Sequence, residues 1–131
     1  MRNSLYLIVF SLFIVLAGCG LETKTLTEFY EKDLNDVTKL VIVDGSTGSK
    51  KTITDKDKIE ELLNEMKDIN FIPDKNQEKR AGWRYSIAMY QQDERTFQFT
   101  LTEIGEHYYH TEPDIYPIVN DLYEELDIEA E

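Results

Sequence analysis

The chain has 131 residues, with 26 Asp and Glu against 14 Lys and Arg, and a single cysteine. That length leaves room for one domain and little more. A formal charge of −12 excludes a nucleic-acid partner, because a phosphate backbone is held by the Lys and Arg that neutralise it. A lone thiol excludes an intramolecular disulfide and any multi-thiolate metal site.

The first element is an apolar run. Arg2 supplies the one positive side chain ahead of it, and Leu5 to Leu16 is then interrupted only by Ser11 and the hydroxyl of Tyr6. These residues rise ~18 Å as a helix, short of the ~30 Å hydrocarbon core of a bilayer. The length suits a signal-peptide core and not a permanent span. It ends in Leu16-Ala17-Gly18-Cys19, which resembles the lipobox of bacterial lipoprotein signals. That resemblance implies cleavage between Gly18 and Cys19 and a diacylglyceryl group, with palmitate-type acyl chains, on the Cys19 sulfur. The residue chemistry agrees: small side chains at Ala17 and Gly18 let a protease approach the backbone, and the thiol is the nucleophile that takes the lipid. Two acyl chains give stable anchoring, where one is marginal.

Residues 1–18 are therefore expected to be a signal peptide, 19–37 a lipidated cysteine with tether and lead-in, and 38–131 one domain. Gly20 to Thr27 holds little apolar material and is expected to be a tether reaching at most ~28 Å. The acidity of the domain disfavours lying flat on anionic lipid. Residues 28–37, with Phe29, Tyr30, Leu34 and Val37 weakly spaced, form an irregular or short helical lead-in.

Lys39 to Val43 is a β-branched run bounded by Asp44-Gly45, which predicts a strand. Asp44 to Ser49 is a turn-rich loop, and Lys50 to Thr54 returns to complete a hairpin. Thr54 and Asp55 supply an N-cap, with Asp57 three residues after Thr54 in capping-box spacing. Ile59, Leu62, Leu63, Met66 and Ile69 then form one apolar stripe, which predicts a helix over 56–69. Phe71-Ile72-Pro73 ends it, with its apolar side chains tucked beneath. A polar loop from Asp74 to Gly82 carries a local excess of Lys75, Lys79 and Arg80. Trp83 to Tyr90 and Phe97 to Thr102 alternate with period two across Gln91 to Glu94, which predicts a second hairpin with one buried face. Gly105 marks a turn before a third strand over 106–110. The last helix must start at Asp114, since that N-cap puts Pro117 in the first turn, where no backbone N–H is needed. The expected fold is α+β, an antiparallel sheet with two helices on one face in the order β-β-α-β-β-β-α.

Few residues point to chemistry. His107 and His110 are three apart on a predicted strand and fall on opposite faces, so they do not chelate one ion together. A site pairing one of them with Glu112 or Asp114 is the alternative to two structural histidines. The loop Asp44 to Lys50 resembles a phosphate loop in composition, but it precedes a strand and offers no helix N-terminus. No Gly-x-Ser-x-Gly, His-Glu-x-x-His or EF-hand loop occurs, and a lipidated Cys19 is no nucleophile, so no enzyme is expected. Residues 96–131 hold ten carboxylates and no Lys or Arg. Asp121, Glu124, Glu125 and Asp127 crowd the end of the last helix, opposing its dipole. That end is either a solvated face or a docking surface for a basic envelope protein or a divalent cation. Tyr90 and Tyr108 with Arg84, if all lie on the outer sheet face, make an aromatic strip suited to a peptide or glycan; ordinary cross-strand pairing is the other reading.

Val41-Ile-Val-Asp-Gly-Ser-Thr-Gly48, Thr52-Ile-Thr-Asp55, Gly82-Trp-Arg-Tyr-Ser86 and Pro113-Asp-Ile-Tyr-Pro117 give the stretch from Lys39 to Leu126 a resemblance to small YhfM-like lipoproteins of spore-forming Gram-positive bacteria. The resemblance implies a one-domain, extracytoplasmic, membrane-anchored protein and no particular activity. The expectation is a lipid-anchored binding or interaction module without catalysis or cofactor, the alternative being a cation- or small-ligand-binding lipoprotein that uses its acidic end.

Overall fold

The computed structural model describes residues 21–126 and Glu131. The apolar run, Gly18 and Cys19 lie outside the described residues, as does Asp127. The elements are β1 (Lys24–Thr25), α1 (Leu26–Phe29), a 3-10 turn at Leu34–Asp36, β2 (Lys39–Asp44), β3 (Lys50–Ile53), α2 (Lys56–Met66), β4 (Asn70–Pro73), β5 (Tyr85–Gln91), β6 (Glu94–Thr100), β7 (Glu103–Ile104), β8 (His107–Glu112) and α3 (Ile115–Glu125). The fold is α+β with antiparallel sheets.

Both expected hairpins are present. Leu40 and Ile42 on β2 stand opposite Met89 and Ile87 on β5, and all four are fully buried. Ile53 on β3 faces Leu40 from the other side. This inward row meets the stripes of α2 (Ile59, Leu62, Leu63, Met66) and α3 (Ile115, Val119, Tyr123) in one core. The helix α2 stops at Met66, not residue 69: Lys67 caps it, donating its N–H to the Leu63 carbonyl. Ile69 is still buried, carried into the core by the chain as it enters β4. Its N-cap is Asp55, whose carboxylate accepts the Asp57 N–H at 2.9 Å, so the Thr54–Asp57 capping box does not form.

Three further corrections share one cause, short strands that periodicity does not reveal. Lys24 and Thr25 are not tether; they pair with Phe71 and Asn70. Thr25 and Glu28 close a capping box on α1, and Leu26 is fully buried. Phe71-Ile72-Pro73 is not a helix terminator but part of β4, paired with β8. As a result the expected single sheet divides into two, in the orders β3-β2-β5-β6 and β1-β4-β8-β7. The chain turns a corner after Thr100. There the Leu101 N–H donates to the Tyr85 carbonyl at 3.3 Å and the Tyr109 N–H to the Thr102 carbonyl at 2.8 Å. Gly105 and Glu106, with φ of 57° and 68°, then form a two-residue hairpin turn of the kind that needs positive φ at both positions. That turn sends β8 back along β4 instead of beside β6.

The start of α3 is as expected. Asp114 accepts the Tyr116 N–H at 3.0 Å, and Pro117 sits in the first turn. Its other end carries no cation of its own. Lys51 of β3 supplies one: its Nζ donates to the carbonyls of Tyr123 at 2.6 Å and Leu126 at 3.3 Å and lies 4.4 Å from the Tyr123 ring centroid. A charge-assisted hydrogen bond at a helix C-terminus stabilises through both the carbonyls and the dipole. Lys51→Met is expected to lower the urea-unfolding free energy by about 1–2 kcal/mol, while Lys58→Met on the exposed side of α2 changes it by less than about 0.5 kcal/mol. Equal effects at the two positions would contradict the capping role of Lys51.

Candidate functional site

The corner between the sheets leaves a cleft of about 490 Å³. Its floor is apolar, made by Leu101, Tyr109 and Ile115, and its rim is polar, with Asp74, Arg80, Arg84, His110, Thr102 and Tyr116. A wider groove of about 700 Å³ runs between the 3-10 turn and the Gln91–Glu94 turn. It is lined by no aromatic ring and no histidine, so the seam cleft is the chemically richer of the two.

Asp74, the first residue after β4, organises one wall. Its Oδ1 lies 2.7 Å from His110 Nδ1, and its Oδ2 lies 3.0 Å from Arg80 Nη1. Burial pushes the Asp74 carboxyl up, but the hydrogen bonds from His110 and Arg80 and the charge of Arg80 outweigh it and hold the group below the ordinary carboxylate value. A carboxylate on Nδ1 selects the tautomer with the proton there and leaves Nε2 available. Arg80 is held at several points: Nη2 donates to the Asn76 carbonyl at 2.8 Å, the guanidinium lies 4.5 Å from the Tyr108 ring centroid, and the main-chain N–H donates to the Tyr108 hydroxyl at 2.9 Å. Gln77 ties this loop to β8, donating to the Tyr108 carbonyl at 2.8 Å and accepting the Tyr108 N–H at 2.9 Å. A side-chain amide thus takes the place of a strand neighbour.

Arg84 forms the other wall. Its Nε is 3.8 Å from Asp44 Oδ1, beyond hydrogen-bond length. That oxygen already accepts the Ser46 N–H at 2.9 Å and hydroxyl at 2.7 Å. The Ser46 hydroxyl is the main reason the Asp44 carboxyl sits below its ordinary value, with burial opposing and Arg84 adding to the effect. The Arg84 carbonyl accepts the Gly45 N–H at 2.6 Å. A Cβ at Gly45 would fall 2.1 Å from the Trp83 carbonyl oxygen, so the β2–β3 loop and the segment carrying Arg84 approach this closely only because position 45 is glycine.

The residues expected from sequence scatter. Asp121, Glu124 and Glu125 are exposed on α3. Tyr90 and Tyr108 do not form one strip with Arg84, because the corner places them on different sheets. Tyr90 is half-buried under Lys39, whose Nζ is 4.2 Å from the ring centroid, and Tyr108 is buried. His107 and His110 are both exposed and do not meet on one face. His110 pairs with Asp74 and not with Glu112 or Asp114. The loop Asp44 to Lys50 closes on itself, with the Thr47 and Gly48 N–H groups both aimed at the Asp44 carbonyl. Among the described residues no group of three or more His, Cys, Asp or Glu is placed to hold a metal ion. Sequence reasoning missed Asp74, whose one local signal is the cationic run of Lys75, Lys79 and Arg80 beside it.

Comparison with protein-family models, with curated proteins and with solved structures returns no match. The cleft is therefore interpreted from its own geometry.

Two outcomes follow from that geometry. Gly45→Ala forces the Trp83–Arg84 segment away and should destabilise the domain by about 1–3 kcal/mol in urea unfolding; an unchanged midpoint would show that the segment moves freely. Asp74→Asn should cost about 1–2 kcal/mol at pH 7. Because the folded pKa of Asp74 is lowered, its contribution is complete above the unfolded carboxylate value of about 3.9 and is lost as pH falls through the lower folded value. Unfolding curves of the variant and the parent should therefore converge on acidification below about pH 4; a constant gap down to about pH 2 would contradict the ion-pair assignment.

Proposed function

We propose that this chain is a lipid-anchored, extracytoplasmic binding module of the bacterial cell envelope, similar in kind to the YhfM-like lipoproteins. The reading is carried by the Leu16-Ala17-Gly18-Cys19 box at the end of an apolar run too short to span a bilayer. The corrected start of the fold adds to it. With Lys24 already in β1, Cys19 and the domain are joined by a segment reaching at most about 18 Å, so a lipidated chain holds its domain close to the membrane surface. A cleft of about 490 Å³ falls in the range of small-ligand sites, with the apolar floor and few polar groups that such sites carry.

Cys19→Ala tests the anchor. Expressed in a Gram-positive host with labelled palmitate, the parent chain should carry label and fractionate with membranes, and the variant should accumulate unprocessed and unlabelled. Label retained by the variant would overturn the reading.

A further inference from the structure

We propose that the seam cleft binds a phosphoryl group, presented by a small phosphate monoester or by a phospholipid headgroup, through the guanidinium groups of Arg84 and Arg80. The inference rests on the reading of the domain as a binding module, but not on its lipid anchor. The first support is the balance of donors and acceptors. Asp74 is committed to His110 and Arg80, and one oxygen of Asp114 caps α3 through the Tyr116 N–H. Donors remain. Arg84 is engaged by Tyr85, whose ring centroid lies 5.2 Å from the guanidinium, and its nearest carboxylate oxygen, on Asp44, is 3.8 Å away, so N–H groups of its five-donor fork remain for a ligand. The Thr102 hydroxyl lies on the same rim, beside the Tyr116 hydroxyl, which donates to Asn120 Oδ1 at 3.5 Å.

This set favours a tetrahedral oxyanion. A carboxylate offers two oxygens and is satisfied by one guanidinium fork, whereas a phosphoryl group offers three and uses donors from several directions. Two arginines from different walls and the Thr102 hydroxyl supply donors from several directions. The wall is also built in advance. Asp74, Asn76 and the Tyr108 ring fix Arg80, so ordering that side chain costs little at binding, and the Gly45 contact fixes the main chain at Arg84. The apolar floor of Leu101, Tyr109 and Ile115 then accommodates the organic remainder of the ligand.

The test is calorimetric titration of the full-length chain in detergent micelles with inorganic phosphate, glycerol 3-phosphate, acetate and a short-chain, water-soluble phosphatidylglycerol. The expected result is saturable binding of phosphate and glycerol 3-phosphate, weaker binding of acetate, and a loss of about tenfold or more in Arg84→Gln. Arg84→Lys, which keeps the charge but not the fork, should fall between. Arg84 is exposed, so unchanged thermal melting of both variants verifies folding, and Glu124→Gln should bind as the parent does. Binding of the short-chain phosphatidylglycerol without binding of phosphate or glycerol 3-phosphate, if abolished by Arg84→Gln, assigns the phosphoryl group to a lipid headgroup. Absence of saturable binding in every arm, acetate as tight as phosphate, or binding untouched by Arg84→Gln would overturn the proposal. The Cys19→Ala chain separates the two readings. It should keep its affinity for glycerol 3-phosphate even without lipid, while a lipidated chain that binds no phosphoryl compound defeats this proposal alone.

Discussion

The ring of Phe71 holds the two sheets to one another. It is fully buried and meets Phe29, Phe99 and Tyr109 edge-on at centroid distances of 5.8, 6.0 and 6.5 Å. Those three partners come from the N-terminal segment, the first sheet and the neighbouring strand of the second. Each such pair adds ~0.5–1.5 kcal/mol beyond the apolar area it buries. Without this ring the four residues of β4 would have little to hold them in a sheet, since a strand so short derives its stability from packing and not from propensity. β1 pairs only with β4, so the placement of the segment from Lys24 to Phe29 depends on the same contact.

From this constraint the cleft follows. Once β8 lies along β4, the chain leaving β6 must turn through Leu101 and Thr102, and the wedge between the two sheets cannot close completely. The residues bordering the wedge come from five places: the loop after β4, the segment before β5, the corner itself, β8 and the first turn of α3. Charge is distributed accordingly. The carboxylates Asp121, Glu124 and Glu125 of α3 are exposed, and Lys51 holds the main-chain carbonyls at the helix end, while the cations of the seam lie beside Asp74 and Asp44. An acidic chain can in this way keep a local set of anion-directed donors, because pairing acts over a few ångströms and the remaining charges are screened within ~8–10 Å.

Much of the fold was legible in the amino-acid pattern where period and length agree. The alternating runs on β2, β5 and β6, the apolar stripe of α2 and the Asp114 start forced by Pro117 are each decided by residues within a few positions. The two-sheet division was not, since β1, β4 and β7 are too short to show a period. Thr25 and Glu28 did carry a readable helix-start signal just inside the stretch that composition marks as tether. The candidate site was less legible still. His110 and Asp74 are 36 residues apart, and Lys51 finds the end of α3 across 72 residues. No local pattern encodes such pairs; they exist only after the corner and the β4–β8 pairing have formed. The acidic C-terminal end stood out by composition, and composition has no information about which carboxylates are already bound.

The central claim is that the seam cleft, and not the acidic end, is where this domain meets its ligand. It is tested most directly by backbone and side-chain NMR of the full-length chain in micelles as inorganic phosphate is added. The account predicts saturable, concerted resonance changes at Arg80, Arg84, Thr102, His110 and Tyr116, with Asp121, Glu124 and Glu125 unmoved. Changes confined to α3 beyond residue 120, or none that saturate, would contradict it.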